Sequence, residues 1–430
     1  MSFTPADKHF MKLALRLAAR GAGFVSPNPM VGAVVVQHPE VAHHGHLVGR
    51  GWHRRYGGPH AEVEALHQAG EKARGATLYV TLEPCNHHGL TPPCTEAVLA
   101  AGLIRVVIAT RDPNPKVSGG GIEYLKQKGV QVETGLLADE ARRLNEAWFK
   151  WVETGFPLVI AKAACSLDGR VATVAGESQW ITGEASRAFG HKLRHACDAI
   201  LVGLGTVLAD DPQLTCRLPA RGKKLSGAKG QGSQTPALSP KPPLPTPYES
   251  STGILPVKNV EQPPPAALSE NRKPETRNRT SDPIRIVLDS RLRIPLTARV
   301  LHLDSPAPTW IATTKAAPLD KVRAVSDLGA EVLLLPEENG RVALRPLLQL
   351  LGERRVQSAL VEGGPEVLGA FFDQRLVDKF YFFYAPKVLG GQGAYPAVAG
   401  KGVTRLNDVI VARDLTIRRL GPDFLVSGYL

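Results

Sequence analysis

Cysteine is scarce in this chain: five residues out of 430, at 85, 94, 165, 197 and 216. An odd and thinly spread set argues against the disulfide framework that small secreted domains use. Long apolar runs are missing too, and none reaches the roughly 18 to 20 residues that a bilayer crossing takes. The opening stretch MSFTPADKHFMKLALRLAARGAG does not read as a signal peptide, because Lys12 and Arg16 interrupt its apolar part. It reads as an amphipathic first helix with Pro5 near its start. The expectation is a cytoplasmic protein that does not engage a membrane. Aromatic residues amount to 6%, few for the stacking surface that holds single-stranded nucleic acid. No G-x-G-x-x-G follows the first strand signal of the second half, which disfavours a Rossmann dehydrogenase.

What is present is length, positive charge and a compact set of metal-ligand residue types. A chain of this size holds two or three domains, and its apolar fraction of 43% is ordinary for a globular protein. The net charge of +12 invites a nucleic-acid reading, yet residues 218–282 alone carry ten Lys/Arg against five Asp/Glu. The same segment holds twelve prolines, in strings such as PKPPLPTP and QPPPAALS. Proline lacks the amide donor and fixes φ, so these strings form neither helix nor central strand. The segment reads as a disordered insertion and a solvated tether, with a proline-rich ligand for a partner domain as the alternative. The rest of the positive excess suits an anionic, phosphorylated metabolite rather than nucleic acid.

Residues 1–150 alternate between helix and strand signals. A helix is expected over 7–20, a strand at MVGAVVV (30–36), and a helix starting near His60. ATLYVTL (76–82) reads as a buried strand, TEAVLAAG (95–102) as a helix and RVVIAT (105–110) as another strand. This pattern is α/β with a mostly parallel or mixed sheet. QHPEVAHHGHLVGRG lengthens an expected hairpin, with His43, His44 and His46 as exposed loop residues. EAWFKWVETG (146–155) is expected to be a helix bridging to a second domain over 151–430. There FPLVIAKAACSLDGRVA reads as strand and turn, followed by a helix near 184–195 and a strand at AILVGLGTV. RIVLDS (285–290), TWIATT (309–314), EVLLLP, SALVEGG and FYFFYAPKVLG add further strands to a second α/β unit.

The chemistry-bearing motif is His60-Ala61-Glu62, followed by Pro84-Cys85 and Pro93-Cys94. Three protein ligands, His60, Cys85 and Cys94, leave the fourth position of one tetrahedral zinc for water, which marks a catalytic site. Glu62, two residues from a ligand, is placed to handle protons without binding the metal. Zinc nucleobase deaminases carry H-x-E with a later P-C-x-x-C. Here PCNHHGLTPPC puts eight residues between the thiols instead of two, so a loop must return the second one. Pro92-Pro93 stiffens that return, and Thr95-Glu96 starts a helix at the ligand. The ligands then sit at a helix start and just past a strand end, where sites in open α/β sheets gather. Hydrolytic deamination suits this set, because zinc lowers the pKa of a bound water from near 16 to about 7. Glu62 would take the water's proton, pass it to a ring nitrogen and protonate the departing amine. Asn28, His53, Asp112 and Asn114 are candidate contacts to a pyrimidine or its sugar, each equally able to cap a turn. His87 and His88 are alternative ligands or loop residues.

The strings TLEPCNHHGLTPPC, SPNPMVGAVVV (26–36) and RDPNP (111–115) resemble the deaminase half of the bifunctional riboflavin-biosynthesis deaminase–reductases. SLDGRVA (166–172), GESQWIT (176–182), Arg194 and TVLADDPQLTCR (206–217) resemble the pattern of the second half. The resemblance covers nearly all of the chain except the proline-rich insertion. It implies a cytidine-deaminase-like three-layer domain followed by a dihydrofolate-reductase-like α/β domain. It also implies zinc, one ion per deaminase domain, and NADPH as cofactors, a phosphorylated pyrimidine as substrate, and a homodimer through the reductase halves. By resemblance Ser178, Arg194, Leu214, Arg217 and Glu362 hold the ribosylaminopyrimidine and its phosphate, a guanidinium being able to meet phosphate oxygens in pairs. Ala164, Trp180, Thr206, Asp210 and Ser290 line the nicotinamide cofactor, with Gly364, Pro365, Glu366, Val367, Leu368, Gly369 and Ala370. The Gly363-Gly364 turn would open backbone amides to a phosphate at a helix N-terminus, although an ordinary tight turn reads the same way. Lys162 and Asp210 are candidates to protonate or polarise the sugar. Two other classes stay open: a nucleic-acid or tRNA base deaminase with an accessory domain, and a scaffold whose second half only binds partners.

Overall fold

The computed structural model describes residues 3–37, 45–114, 120–217 and 282–430. The proline-rich insertion, apart from Asp282, lies outside the described residues, as do His43 and His44. The first helix, α1 (Pro5–Ala18), starts where its chemistry demands. The Thr4 hydroxyl accepts from the Asp7 amide, the Asp7 carboxylate accepts from the Thr4 amide, and Pro5 takes the first helical position.

Strand β1 (Gly32–Gln37) pairs antiparallel with β2 (His46–Trp52) and, on its other side, with β3 (Thr77–Leu82). His46 is exposed, as expected, but at the start of β2 rather than in a loop. Helix α2 (Ala61–Ala69) follows β2, and α3 (Cys94–Ala100) follows β3. Then come β4 (Arg105–Thr110), α4 (Gly121–Gln127), β5 (Gln131–Thr134) and α5 (Ala138–Leu144). The sheet order is β2-β1-β3-β4-β5, parallel from β3 to β5. Side chains alternate across a strand, so each strand feeds two cores. Ala33, Val35, Leu78, Val80, Val106 and Ile108 face α2, α3 and α4; Val34, Val36, Tyr79, Val107 and Ala109 face α1 and α5. The result is the expected three-layer unit. Helix α2 lies hard against β2, because a Cβ on Gly49 or Gly51 would stand 2.1 or 2.2 Å from a helix carbonyl oxygen.

Helix α6 (Glu146–Thr154) packs Trp148 and Phe149 with Leu82 and leads into the second half, as expected of a bridge. There β6 (Leu158–Ser166) and the short β7 (Arg170–Ala172) precede α7 (Glu184–Ala196), β8 (Ala199–Gly203) and α8 (Leu204–Asp210). The strand expected over AILVGLGTV is thus cut at Gly203, and the residues after it turn into a helix. Gly203 caps that helix in extended backbone and packs tightly, because a Cβ there would stand 2.7 Å from Val367. Beyond the insertion come β9 (Ile284–Leu288), β10 (Thr309–Thr313), α9 (Leu319–Asp327) and β11 (Glu331–Leu334). A small ladder of β12 (Glu337–Glu338) and β13 (Arg341–Val342) precedes α10 (Leu344–Glu353). Next are β14 (Ser358–Val361), α11 (Pro365–Asp373), β15 (Lys379–Ala385), β16 (Tyr395–Pro396), which pairs with β7, and the hairpin β17 (Arg413–Leu420) and β18 (Asp423–Tyr429).

Nine strands form one sheet in the order β11-β10-β9-β8-β14-β6-β15-β18-β17. It is parallel from β11 to β15 and antiparallel beyond. The C-terminal ends of β6, β8 and β14 therefore lie side by side, and the chain segments leaving these three strands start from one edge of the sheet. No helix among the described residues is long and apolar enough to cross a membrane.

Candidate active sites

His60 caps α2 in extended backbone, which puts its ring and the Glu62 side chain at the helix start. Cys85 follows β3, and Cys94 is the first residue of α3. The loop between the thiols is fastened by side chains. Thr95 Oγ1 donates to Asn86 Oδ1 at 2.8 Å, Asn86 Nδ2 donates to the Gly120 carbonyl, and the Thr95 amide donates to the Cys85 carbonyl. The eight-residue return thus behaves as a clasp, and the ligands converge. His60 Nδ1 stands 3.2 Å from Cys94 Sγ and 3.5 Å from Cys85 Sγ, and all three ligand atoms lie within 4.8 Å of one another. Tetrahedral zinc with bonds of about 2.0 Å to nitrogen and 2.3 Å to sulfur asks for about 3.6 Å between such donors. His87 and His88 are not part of this cluster; His88 is exposed.

Glu62 is 3% exposed, and its Oε2 has no hydrogen-bond partner. Burial pushes this carboxyl up to about 7. The thiols share a proton: the hydrogen bond from Cys94 draws Cys85 below its ordinary value and holds Cys94 well above its own. A divalent cation that takes thiolates displaces that proton. An orphaned buried carboxylate beside a histidine and two thiols is the donor set that fits zinc and a proton carrier.

Around the triad, His53 is buried and T-shaped to His60, with ring centroids 5.3 Å apart. Burial lowers its pKa. Its Nδ1 lies 2.9 Å from the Pro59 carbonyl oxygen, which only accepts, so Nδ1 carries the hydrogen. Nε2 faces Asn28 Nδ2 at 3.1 Å. Asp112 is buried and raised to about 7 by burial; its Oδ1 accepts the Asn114 amide at 2.8 Å, a turn-capping bond. Glu83 went unnoticed in the sequence. Its buried carboxylate accepts the amides of Asp112 and Ile122 and ties β3 to the segment after β4. Only its place before Pro84-Cys85 could have signalled it.

In the second half, Glu362 extends from the end of β14 and its side chain is 5% exposed. Arg194 of α7 meets it with both fork nitrogens, at 2.8 and 2.7 Å, and donates a third bond to the Thr215 carbonyl. Two of the five guanidinium hydrogens remain for another acceptor. Lys162 Nζ of β6 stands 3.8 Å from the same carboxylate. Burial alone would raise Glu362, but Arg194 and Lys162 hold it down at about 2. Thr206 of α8 faces the β14–α11 turn: a Cβ on Gly363 would stand 2.9 Å from its Oγ1, and Gly364 has φ +58°. The close packing on Thr206 and the positive φ make glycine the residue that fits this turn. Ser178 Oγ donates to Asp210 at 3.0 Å, Leu214 is buried with φ +56°, and Trp180 is 63% exposed under Arg187. The Arg217 amide donates to His191 Nδ1, a partner that the sequence did not suggest. Ala164 is half-buried on β6. Ser290 follows β9, the parallel neighbour of β8, and its Oγ accepts the Val342 amide. Along α11, Pro365, Val367 and Ala370 are partly buried and Glu366 is exposed, while Leu368 joins the core and Gly369 abuts the Ala399 carbonyl.

The fold and the first site define a zinc-dependent deaminase joined to an α/β reductase unit. Residues 4–110 match the cytidine and deoxycytidylate deaminase zinc-binding region, and residues 157–426 match the RibD C-terminal domain. The riboflavin biosynthesis protein RibD of Escherichia coli is 40% identical over 417 residues, 97% of each chain. That of Bacillus amyloliquefaciens is 38% identical over 422 residues, 98% of this chain and 96% of the relative. Among solved structures, Acinetobacter baumannii RibD aligns with a TM-score of 0.77 at 33% identity, over 99% of this chain and 98% of the other. The chain belongs to the RibD family of riboflavin biosynthesis proteins. It is a bifunctional deaminase and reductase whose cofactors are zinc and NADPH.

Proposed function

We propose that residues 1–150 deaminate 2,5-diamino-6-ribosylamino-4(3H)-pyrimidinone 5′-phosphate. Residues 151–430, interrupted over about 218–282, then reduce the ribosyl chain of the product to ribityl with NADPH. A Thermotoga maritima structure with a TM-score of 0.73 at 32% identity, over 99% of this chain and 98% of that one, is of a diaminohydroxyphosphoribosylaminopyrimidine deaminase/5-amino-6-(5-phosphoribosylamino)uracil reductase, which supports this substrate pair. The observation that carries the first half is the His60–Cys85–Cys94 triad beside Glu62, whose Oε2 has no hydrogen-bond partner.

His60, Cys85 and Cys94 would hold the zinc, which would lower the pKa of a bound water to about 7. Glu62 holds and moves the protons: Oε2 takes one from water and passes it to a ring nitrogen, then takes the second from the added hydroxyl and gives it to the departing amine, which leaves as ammonia. Water adds and ammonia leaves, so the exchange balances. Asn28, His53, Asp112 and Asn114 bound the ring and sugar. In the second half Arg194, Glu362, Ser178, Leu214 and Arg217 hold the substrate, and the two spare Arg194 hydrogens meet its phosphate. Thr206, Ala164, Trp180, Asp210, Ser290 and the segment Gly364–Ala370 bound the cofactor. Hydride transfer rests mainly on orientation, with Lys162 or Asp210 polarising the sugar. The working protein is a cytoplasmic homodimer that acts on small molecules and not on nucleic acid.

The test is a paired assay on zinc-loaded protein, following ammonia release and NADPH oxidation separately, beside Glu62→Ala. Both signals in wild type, with only reduction of pre-deaminated substrate in the variant, support the assignment. Neither signal in wild type would overturn the substrate.

A further inference from the structure

The segment 23–30 carries Asn28 to the first site, and it is held in place from outside the deaminase layers. Met30 is clamped at both its amide and its carbonyl. Its amide donates to Asn145 Oδ1 at 2.7 Å, and Asn145 Nδ2 donates to its carbonyl at 2.9 Å. Three residues earlier, the Pro27 carbonyl accepts from Gln357 Nε2 at 2.7 Å. Gln357 lies 330 residues away, just before β14, and is 4% exposed. Its own backbone is pinned, the amide donating to Asp198 Oδ2 and the carbonyl accepting from Leu158 at the start of β6. Beside it, the Phe24 ring packs edge-on to His195 of α7 at 4.9 Å, and a Cβ on Gly23 would stand 2.5 Å from that imidazole.

Between these fixed points the chain turns, with the Asn28 amide donating to the Val25 carbonyl at 2.8 Å. The Asn28 side chain is oriented by chemistry. The Asn28 Nδ2 faces His53 Nε2 at 3.1 Å, which leaves Oδ1 without a hydrogen bond among the described residues. An acceptor in this position suits an N–H of a heterocyclic amine. One residue away, the pinned Pro27 carbonyl sets the plane of the peptide bond that leads into Asn28.

We infer that Gln357, a residue of the reductase half, is a positioning residue for the deaminase: by holding the Pro27 carbonyl it aims Asn28 at the substrate. This rests on the reading of Asn28 as a substrate contact. Gln357 stands at the opposite end of β14 from Glu362, so the two roles of that strand are separate. Covalent linkage of the two activities then has a structural use, because the reductase sheet completes a wall of the deaminase.

The test uses the full-length, zinc-loaded chain as wild type, Asn28→Ala, Gln357→Ala and the double variant. Deamination is followed by ammonia release from the diaminopyrimidinone ribotide, and reduction by NADPH oxidation on pre-deaminated substrate. Gln357→Ala is expected to raise the KM of deamination about fivefold, the factor for one neutral hydrogen bond. Its kcat, zinc content and reductase kinetics are expected to stay at wild-type values. Gln357→Glu, equal in length but presenting a carboxylate to the Pro27 carbonyl, is expected to do at least as badly. The double variant is expected to be no worse than Asn28→Ala alone, because the two residues act through one contact. Impaired Asn28→Ala beside normal Gln357→Ala would overturn the inference and leave the Asn28 reading standing. Multiplying effects, or a joint fall of both activities with melting temperature, would also overturn it. Normal deamination in Asn28→Ala would instead sink the reading of Asn28, and this inference with it.

Discussion

Glu62 and Glu362 have nearly the same burial and opposite fates. Both side chains are almost shut off from water, Glu62 being 3% exposed as a residue and the Glu362 side chain 5%. Glu62 keeps one oxygen unpartnered, and burial pushes it up to about 7. Glu362 is gripped at both oxygens by Arg194 with Lys162 nearby, and these cations overcome burial to hold it at about 2. Burial therefore does not determine what an acid does; its partners do. An acid that must give and take protons is left without a fixed counter-charge, while an acid that shapes a binding site is neutralised in place. The first arrangement carries the strain of an unsatisfied polar atom. The second is safe only while its cation is present.

Removing each acid or its partner tests this contrast. The largest effect is expected from Glu62→Gln, a fall of about 10²- to 10⁴-fold in the rate of ammonia release. NADPH oxidation on pre-deaminated substrate should not change. Stripping zinc with a chelator should silence deamination in the same selective way, with activity returning as metal content does. Next comes Arg194→Met, which leaves Glu362 buried with only Lys162, 3.8 Å away, as a cation. A loss of about 3–5 kcal/mol in a denaturant melt is expected, together with loss of reduction. A variant as stable as wild type would mean the fork bond is worth little.

The pH response of Glu362 is the next smaller effect. Its folded pKa of about 2 lies below the ordinary unfolded value, so its charged form stabilises the fold fully above pH ~4.3. That contribution, about 3 kcal/mol, is withdrawn as pH falls toward 2. The gap in unfolding free energy between wild type and Glu362→Gln should therefore shrink from pH 6 to pH 3. A constant gap would refute the lowered pKa. The smallest effect is expected from Trp180→Ala. At 63% exposure it should leave stability within about 0.5 kcal/mol while raising the KM for NADPH. An unchanged KM would remove Trp180 from the cofactor site.

The first site was largely legible because its residue types are rare and its spacing is chemical. His60, Cys85 and Cys94 stand where the helix and strand signals put them, and the start of α2 falls at the expected ligand. What binds the scaffold was not legible. Tyr79 and Arg105 both donate to the buried carboxylate of Asp7, and Arg105 also pairs with Glu133, across separations of 28 to 98 residues. Periodicity sees only neighbours along the chain, so polar bonds of that span leave no local trace. Asn145 and Gln357 escaped for the same reason. In the second half the strand signals were mostly present, but the order β8-β14-β6 that gathers Thr206, Glu362 and Lys162 has no signature in composition. Nor did β17 announce itself, because nearly all of it is exposed and it lacks the alternation that marks a half-buried strand.

The Cys216 amide donates to Asp282 Oδ1 at 2.8 Å. The residues just before and just after the long proline-rich stretch are thus handcuffed to each other, and the chain departs from the reductase fold and rejoins it at a single doorway. Domain grafts succeed where entry and exit coincide at a surface. This doorway is a natural socket for a foreign domain whose own ends lie close together. It opens beside Thr215 and Arg217, so a ligand-responsive graft there would adjoin the bonds that Arg194 and His191 make to those residues.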